Sequence, residues 1–334
     1  MPEGIEIRKF ADILRGNISN HTITKINILK GRYLKKVFDG FTDIEHVLPV
    51  KVNSINTKGK FTYIELQSLA SGNIFWLFNT LGLTGGWTVY GKTKKDFNTN
   101  IHNAKYFKQS NTDTNTGIYT YPLIMEYITD SADSADSGGA EWFEKALNHL
   151  NIEFILDNGL KVYFYDQLSF GTLKIITNKI ELETKLRELG PDIMNADTTF
   201  ALFNKQITKK INNKKVIGNV IVNQKIISGI GNYLRADALW MTKISPFRKV
   251  DTITTNELEL LYKNIRALMW GDYNYNEALQ LGIITPDIKI PHDYKRTFFI
   301  YRQDKDIHGH SVSKKELFEG SQKRFIYWVE SIQI

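Results

Sequence analysis

Asn223-Gln224-Lys225-Ile226-Ile227-Ser228-Gly229-Ile230-Gly231-Asn232-Tyr233 joins two helical runs through a turn that carries two glycines. Residues 220–225 end a helical run, and a second helix is expected from 233 to about 241. Between them Gly229 and Gly231 let the backbone turn tightly, which predicts free amide N–H groups at the start of the second helix. Such a terminus binds phosphate through those donors and the helix dipole, and Asn232 can add a side-chain donor. A Gly-x-Gly pair alone occurs in many loops, so the neighbourhood matters. Residues 201–225 hold no acidic side chain, while lysines stand at 205, 209, 210, 214, 215 and 225. A solvated face would also explain that cluster.

A chain of 334 residues is too long for one ordinary core, which predicts two domains. Lysine plus arginine (43) exceed aspartate plus glutamate (36) by 7, a balance suited to a polyanionic partner. The absence of cysteine removes disulfides, thiol nucleophiles and every cysteine-based zinc site. No stretch resembles a signal peptide or a membrane span, since residues 1–20 carry Glu3, Glu6, Arg8, Lys9, Asp12 and Arg15. The reading is a soluble, intracellular, monomeric protein with no membrane partner.

Residues 3–16 read as an amphipathic helix with Ile7, Phe10, Ile13 and Leu14 on one face. Short alternating or apolar runs at 22–28, 61–66 and 74–78, separated by glycine and polar turns, predict a sandwich or barrel-like sheet. Residues 91–150 are rich in Asn, Thr, Lys, Asp and Ser and read as an inserted, partly disordered surface loop. Strands resume at 152–156 and 161–165. Helical text follows at 181–189, stopped by Gly190-Pro191, and continues to about 289. The runs 297–301 and 324–329 suggest a terminal hairpin. The expected class is α+β: an N-terminal helix and β-sandwich domain (1–175), a linker (176–192), a helical domain (193–289) and a hairpin finger (290–334).

The chain starts Met1-Pro2-Glu3-Gly4-Ile5-Glu6. Removal of Met1, which a following proline permits, would expose a secondary amine titrating near pH ~8, partly nucleophilic at neutral pH. Attack on a sugar aldehyde carbon would form a Schiff base, with Glu3 as acid–base partner. The same residues suit a plain helix start, where proline and early glutamates are favoured. Glu6 either orders the site or caps that helix.

Together these motifs resemble the Fpg/Nei family of DNA glycosylases. Asn223-Gln224-Lys225 and Gly229-Ile230-Gly231-Asn232-Tyr233 are similar to its helix-two-turn-helix signature, and Pro2-Glu3 and Glu6 to its amino terminus, although Ile5 stands where proline is usual. Thr57-Lys58-Gly59-Lys60-Phe61 resembles the hairpin bearing an active-site lysine, which maps to Lys60. Leu81-Gly82-Leu83-Thr84-Gly85 resembles the intercalation loop, with Leu83 for the commoner methionine, and residues 166–171 fit the loop that follows it in the family. There Leu168 replaces an arginine that contacts the base opposite the lesion, and Phe170 keeps the stacking position. Asp237 stands for the usual glutamate of the helical domain.

The family's finger usually holds zinc with four cysteines, and this chain has none. Aligning Arg324 with the finger's phosphate-binding arginine places Val329 and Ile332 at ligand positions, with Gln333 still matching. His308 and His310 cannot replace a tetrahedral site by themselves. The resemblance therefore implies the zincless-finger pattern of animal and giant-virus Nei-like proteins, with aromatic packing in place of metal and a nuclear, cytoplasmic or viral setting. It implies a bifunctional DNA glycosylase/AP lyase of base excision repair, without cofactor or metal, acting on damaged DNA, duplex or single-stranded. Oxidised pyrimidines and formamidopyrimidines would be its substrates and β,δ-elimination its strand cleavage. In that scheme Pro2, Glu3, Glu6 and Lys60 are catalytic. Lys60, Lys225, Gly231, Asn232 and Arg324 bind phosphate, and Leu83, Leu168 and Phe170 fill the void left by the extruded base. The competing readings are an inactive damage-binding protein on the same scaffold and a lysine-rich structural or RNA-binding protein.

Overall fold

The computed structural model describes residues 2–90, 118–119, 149–284, 290, 298–319 and 322–334, so nearly all of the 91–150 insertion lies outside the described residues. The chain forms two compact units. One consists of Pro2 and Glu6–Thr184, the other of Glu3–Ile5 and Lys185–Ile334.

In the first unit, helix α1 (Gly4–Ile18) contributes Ile7, Phe10, Ala11 and Leu14, one apolar stripe at helical spacing, to the core. A short helix α2 (Phe41–Glu45) precedes most of the sheet. The strands are β1 (Thr22–Ile28), β2 (Val50–Lys58), β3 (Phe61–Ser68), β4 (Ile74–Thr80), β5 (Gly85–Tyr90), β6 (Ile118–Tyr119), β7 (Leu150–Leu156), β8 (Lys161–Asp166) and β9 (Thr172–Ile176). They form one antiparallel ladder in the order β6-β5-β8-β7-β1-β2-β3-β4-β9. Alternation along β3, with Ile64 and Leu66 buried and Tyr63 and Glu65 partly exposed, is that of a strand covered on one face. The ladder folds back on itself. Trp87 on β5 donates its indole N–H to Asn79 Oδ1 on β4 at 3.0 Å, although those strands lie near opposite ends of the ladder. Trp87, Phe154, Phe164, Leu66 and Leu77 fill the space enclosed. This is the expected sandwich.

Two features of the sheet place candidate residues. Gly59-Lys60 is a two-residue hairpin loop between the paired Lys58 and Phe61, and Gly59 has φ 57, the conformation the first central position of such a turn requires. Second, β4 pairs with β9 up to Thr80↔Thr172, and β5 pairs with β8 up to Gly85↔Asp166. The β4–β5 loop (81–84) and the β8–β9 loop (167–171) therefore leave paired strands at the same end of the sandwich.

In the second unit, helices α4 (Phe200–Ile207), α5 (Ile217–Val220), α6 (Asn232–Thr242) and α7 (Thr255–Gln280) follow α3 (Lys179–Glu188), within which the two units divide. Thr254 and Glu257 form a reciprocal capping box at the start of α7, and Asn274 kinks that helix. Leu234, Leu239, Leu261, Ile265 and Leu268 build the core between α6 and α7. A hairpin of β10 (Ser313–Glu319) and β11 (Gln322–Trp328) ends the fold, in register from Ser313↔Trp328 to Glu319↔Gln322.

That register corrects the sequence reading, which paired 297–301 with 324–329. Thr297 lies outside the described residues, and Phe298–Tyr301 is not a strand. The N–H groups of Phe299, Ile300 and Tyr301 donate to the carboxylate of Asp237 at 3.0, 3.0 and 3.1 Å, so they have no need of a neighbouring strand. Asp237 is fully buried on α6. Its role, anchoring the first segment of the finger, was invisible from its type alone.

Asp306 organises the next segment. Its carboxylate accepts from the N–H groups of His308 and His310, from Trp240 Nε1 at 3.1 Å, and pairs with His310 Nδ1 at 2.9 Å. Burial opposes ionisation, but the hydrogen bonds from His310, Trp240 and His308 overcome it and hold the carboxyl at a pKa of about 2, against an ordinary 3.8. A depressed carboxyl pKa contributes stability that is complete above the unfolded value and lost as pH falls towards the folded one. The contribution is about 2 kcal/mol at neutral pH, fading between roughly pH 4 and 2. Asp306→Asn is expected to lower the melting temperature at pH 7 by roughly 4–8 °C. The difference from wild type should shrink as a thermal-melt series is taken down to pH 2.

Candidate active site and DNA interface

The chain start is held on the turn that opens α6. Glu3 is buried, and its carboxylate accepts the Gly231 N–H at 2.7 Å and the Tyr233 N–H at 3.0 Å. The next residue, Gly4, donates its N–H to Gly229 O at 2.8 Å. A carboxylate on the first N–H groups of a helix is the arrangement its dipole favours. Gly4 also needs to be glycine, because a Cβ there would come within 2.9 Å of Gly229 Cα. The turn is braced from inside by Gln224, whose Oε1 accepts the Gly229 N–H at 2.9 Å and whose Nε2 donates to Ile230 O at 2.8 Å.

These contacts correct one expectation. The sequence predicts a free Gly231 N–H for phosphate, but that N–H donates to Glu3. The glycines thus seat the chain start on the turn. Asn232, the first residue of α6, is half-buried, and its Oδ1 accepts from Arg235. Arg235, fully buried, also donates to Phe325 O at 3.3 Å, which ties the start of α6 to β11 beside Arg324. Arg324 is half-buried in β11 opposite Leu317. Burial first, and the nearby Glu3 charge as well, raise the Tyr301 hydroxyl above its ordinary pKa. Tyr301 is thus a neutral hydroxyl within reach of the Glu3 charge. Lys225 stands exposed on the preceding turn, where its backbone N–H donates to Asn223 Oδ1 at 3.0 Å.

The remaining candidates belong to the first unit. Pro2 and Glu6 are buried, and Lys60 is half-buried at the tip of its hairpin. Leu83, Leu168 and Phe170 are 36, 49 and 58% exposed, high for large apolar side chains and unlike a core role. All three sit on the paired loops at one end of the sandwich.

Finger zinc does not fit this chain. Val329, at one ligand position, is wholly buried, and its N–H donates to Gln333 Oε1 at 2.7 Å. Gln333 Nε2 donates in turn to Ile244 O at 3.0 Å, binding the end of the hairpin to the end of α6. Trp328 packs edge-on against Phe247 at 4.9 Å between centroids. Among the described residues, no group of three or more His, Asp or Glu side chains could hold a metal ion.

The model of the formamidopyrimidine-DNA glycosylase N-terminal domain matches residues 1–173, and that of the formamidopyrimidine-DNA glycosylase H2TH domain matches 189–279. The chain belongs to the formamidopyrimidine-DNA glycosylase family. It is a DNA glycosylase of base excision repair. Formamidopyrimidine-DNA glycosylase of Corynebacterium glutamicum (strain R) is 24% identical over 270 residues, covering 80% of this chain and 77% of that protein. The Mycoplasma genitalium enzyme of the same name is 32% identical over 121 residues, 36% of this chain and 41% of its own. In fold, the chain is similar to Lactococcus lactis Fpg in a complex with DNA containing an abasic site, with TM-score 0.64, 17% identity and 99% of both chains covered. The wild-type L. lactis Fpg complex with DNA containing an oxidised pyrimidine gives TM-score 0.65 at 18% identity, again over 99% of each chain. No helix among the described residues is long and apolar enough to cross a membrane.

Proposed function

We propose that this formamidopyrimidine-DNA glycosylase relative is a bifunctional glycosylase/AP lyase of the zincless-finger, Nei-like branch, using the Pro2 nitrogen as nucleophile once Met1 is removed. The observation that carries the reading is the Glu3 carboxylate on the Gly231 and Tyr233 N–H groups. It fixes the residue bonded to Pro2 on the helix-two-turn-helix turn, and a helix start needs no such partner. In functional terms we assign residues 1–175 to the catalytic domain, 176–192 to the linker, 193–289 to the helix-two-turn-helix domain and 290–334 to the finger.

The enzyme extrudes the damaged nucleotide, because its sugar carbon is unreachable inside a stacked duplex. Leu83, Leu168 and Phe170 occupy the gap, while Lys60, Asn232 and Arg324 hold backbone phosphates, with Lys225 adding charge. Pro2 N attacks C1′, and the bond from C1′ to the base breaks, the base leaving with the bonding pair and taking a proton from water. Glu3 takes the proton shed by the amine and passes it to O4′ as the sugar ring opens, leaving an iminium between Pro2 and C1′. Loss of a C2′ proton then expels the 3′ phosphate, and a second elimination expels the 5′ phosphate. Water regenerates the amine. Glu6, buried on α1, orders the surroundings of the amine.

Leucine at 168 fills space without donors, so discrimination for an opposite cytosine is weak. The substrates that follow are oxidised pyrimidines and formamidopyrimidines, ahead of 8-oxoguanine opposite cytosine. Base release from duplexes carrying thymine glycol, formamidopyrimidine or 8-oxoguanine tests this directly. Salt-dependent binding with no base released from any of them would identify a damage-binding protein instead. Arg324→Ala is expected to weaken lesion binding and reduce the slope of log affinity against log salt by about 1, with the melting temperature unchanged. An unchanged slope would remove Arg324 from the phosphate contacts.

A further inference from the structure

The three apolar side chains assigned to the gap stand on two loops that are far apart in sequence, and a set of polar contacts joins those loops. Asp166, buried at the end of β8, is the centre of that set. Its Oδ1 accepts from Thr84 Oγ1 at 2.6 Å and its Oδ2 from the Gly171 N–H at 2.5 Å, while its own N–H donates to Asn151 Oδ1 at 2.5 Å. Thr84 Oγ1 accepts in turn from the Leu168 N–H at 3.0 Å. One threonine hydroxyl, placed next to Leu83, thus bridges the backbone that carries Leu168 and the carboxylate that shapes the loop behind it. Arg32 holds the far side, donating Nη2 to Gly171 O at 2.5 Å.

Packing agrees with the hydrogen bonds. Gly82 has φ +62, and a Cβ there would lie 2.6 Å from the Phe170 carbonyl carbon. The two loops therefore touch backbone to backbone, and Ser169 adopts φ 57 to turn the chain between Leu168 and Phe170. These side-chain contacts lie beyond the last ladder pairs, Thr80↔Thr172 and Gly85↔Asp166, so the pairing of the strands does not depend on them.

We propose that Thr84 and Asp166 are positioning residues that lock Leu83, Leu168 and Phe170 into a single preformed wedge, so that both loops enter the duplex at a fixed spacing. This rests on the void-filling role given to those three side chains. The gain is pre-organisation: a wedge set before binding loses little freedom when it inserts. The hydroxyl and the carboxylate are the parts that matter, and neither touches the reacting sugar.

Thr84→Val keeps the size of the side chain and removes the bridge. It is expected to lower kcat/KM for base release from a lesion duplex about tenfold, a tenth of the ~100-fold that a 1 Å misplacement can cost. Thr84→Ser is expected to retain wild-type release. Nicking of single-stranded abasic DNA, which has no stack to fill, should be unchanged in both variants. In a Leu83→Ala/Leu168→Ala/Phe170→Ala background, Thr84→Val should cost nothing more, because the wedge it positions is gone. Equal losses on duplex and single strand, an additive loss in that background, or wild-type release by Thr84→Val would each overturn the proposal. Should the wild-type chain release no base at all, the glycosylase/lyase reading fails by itself. The clamp is then read from the ratio of Kd values for duplex and single-stranded abasic DNA, which Thr84→Val must reduce and Thr84→Ser must not.

Discussion

Retaining Met1 is expected to abolish covalent trapping of this protein on abasic DNA, and Pro2→Gly to weaken it. In the unprocessed chain the Pro2 nitrogen is an amide, with its lone pair delocalised into the Met1 carbonyl, and it cannot attack C1′. Processing converts it to an amine titrating near pH ~8, whose neutral fraction is nucleophilic at physiological pH. Glycine at position 2 still offers an amine after processing, but a primary one without the ring that fixes its direction. Borohydride reduction during incubation with an abasic duplex turns the iminium into a stable adduct visible by mass. The processed wild-type chain should give one adduct whose mass gain lies on the N-terminal peptide. Chain retaining Met1 should give none, with strand cleavage lower by on the order of 1000-fold or more, the scale seen when a nucleophile is removed. An adduct on a lysine, or full cleavage by the Met1-bearing chain, would displace Pro2 as the nucleophile.

The elements that could be read from the chain are those written in local pattern. The α1 stripe of Ile7, Phe10 and Leu14, the alternation of β3 and the glycines around α6 each carry their structure within a few residues. What could not be read depends on partners distant in sequence. Glu3 finds Gly231 and Tyr233 across more than two hundred residues, so a motif expected to leave N–H groups open instead has two of them occupied. Phe299, Ile300 and Tyr301 look like a strand because they are aromatic and β-branched, yet Asp237 captures their N–H groups and the hairpin forms further on. Thr84 and Asp166 have no role that local pattern reveals, since a hydroxyl and a carboxylate gain one only when the ladder sets two loops side by side.

Glu3→Gln carries the second large effect, and it separates two tasks given to one side chain. The Gly231 and Tyr233 N–H groups present two donors, and a carboxylate answers both. Glutamine has one carbonyl oxygen and one NH2, so one buried N–H would face a donor, at a cost of about 1–3 kcal/mol. It also cannot take the proton from Pro2 or deliver it to O4′. Base release should fall by about 100- to 10,000-fold, the range for losing a general acid–base group. Nicking of a preformed abasic site should fall far less, because its sugar opens to the aldehyde without help and no base has to leave. Glu3→Asp resolves what remains, since it restores the charge on a side chain one methylene shorter that cannot reach both N–H groups. Recovery of base release by aspartate at a lowered melting temperature would assign the proton transfer to the carboxylate and the anchoring to its reach. If instead Glu3→Gln loses nicking and base release equally, the carboxylate serves only to hold the chain start on α6, and the proton must travel through another group.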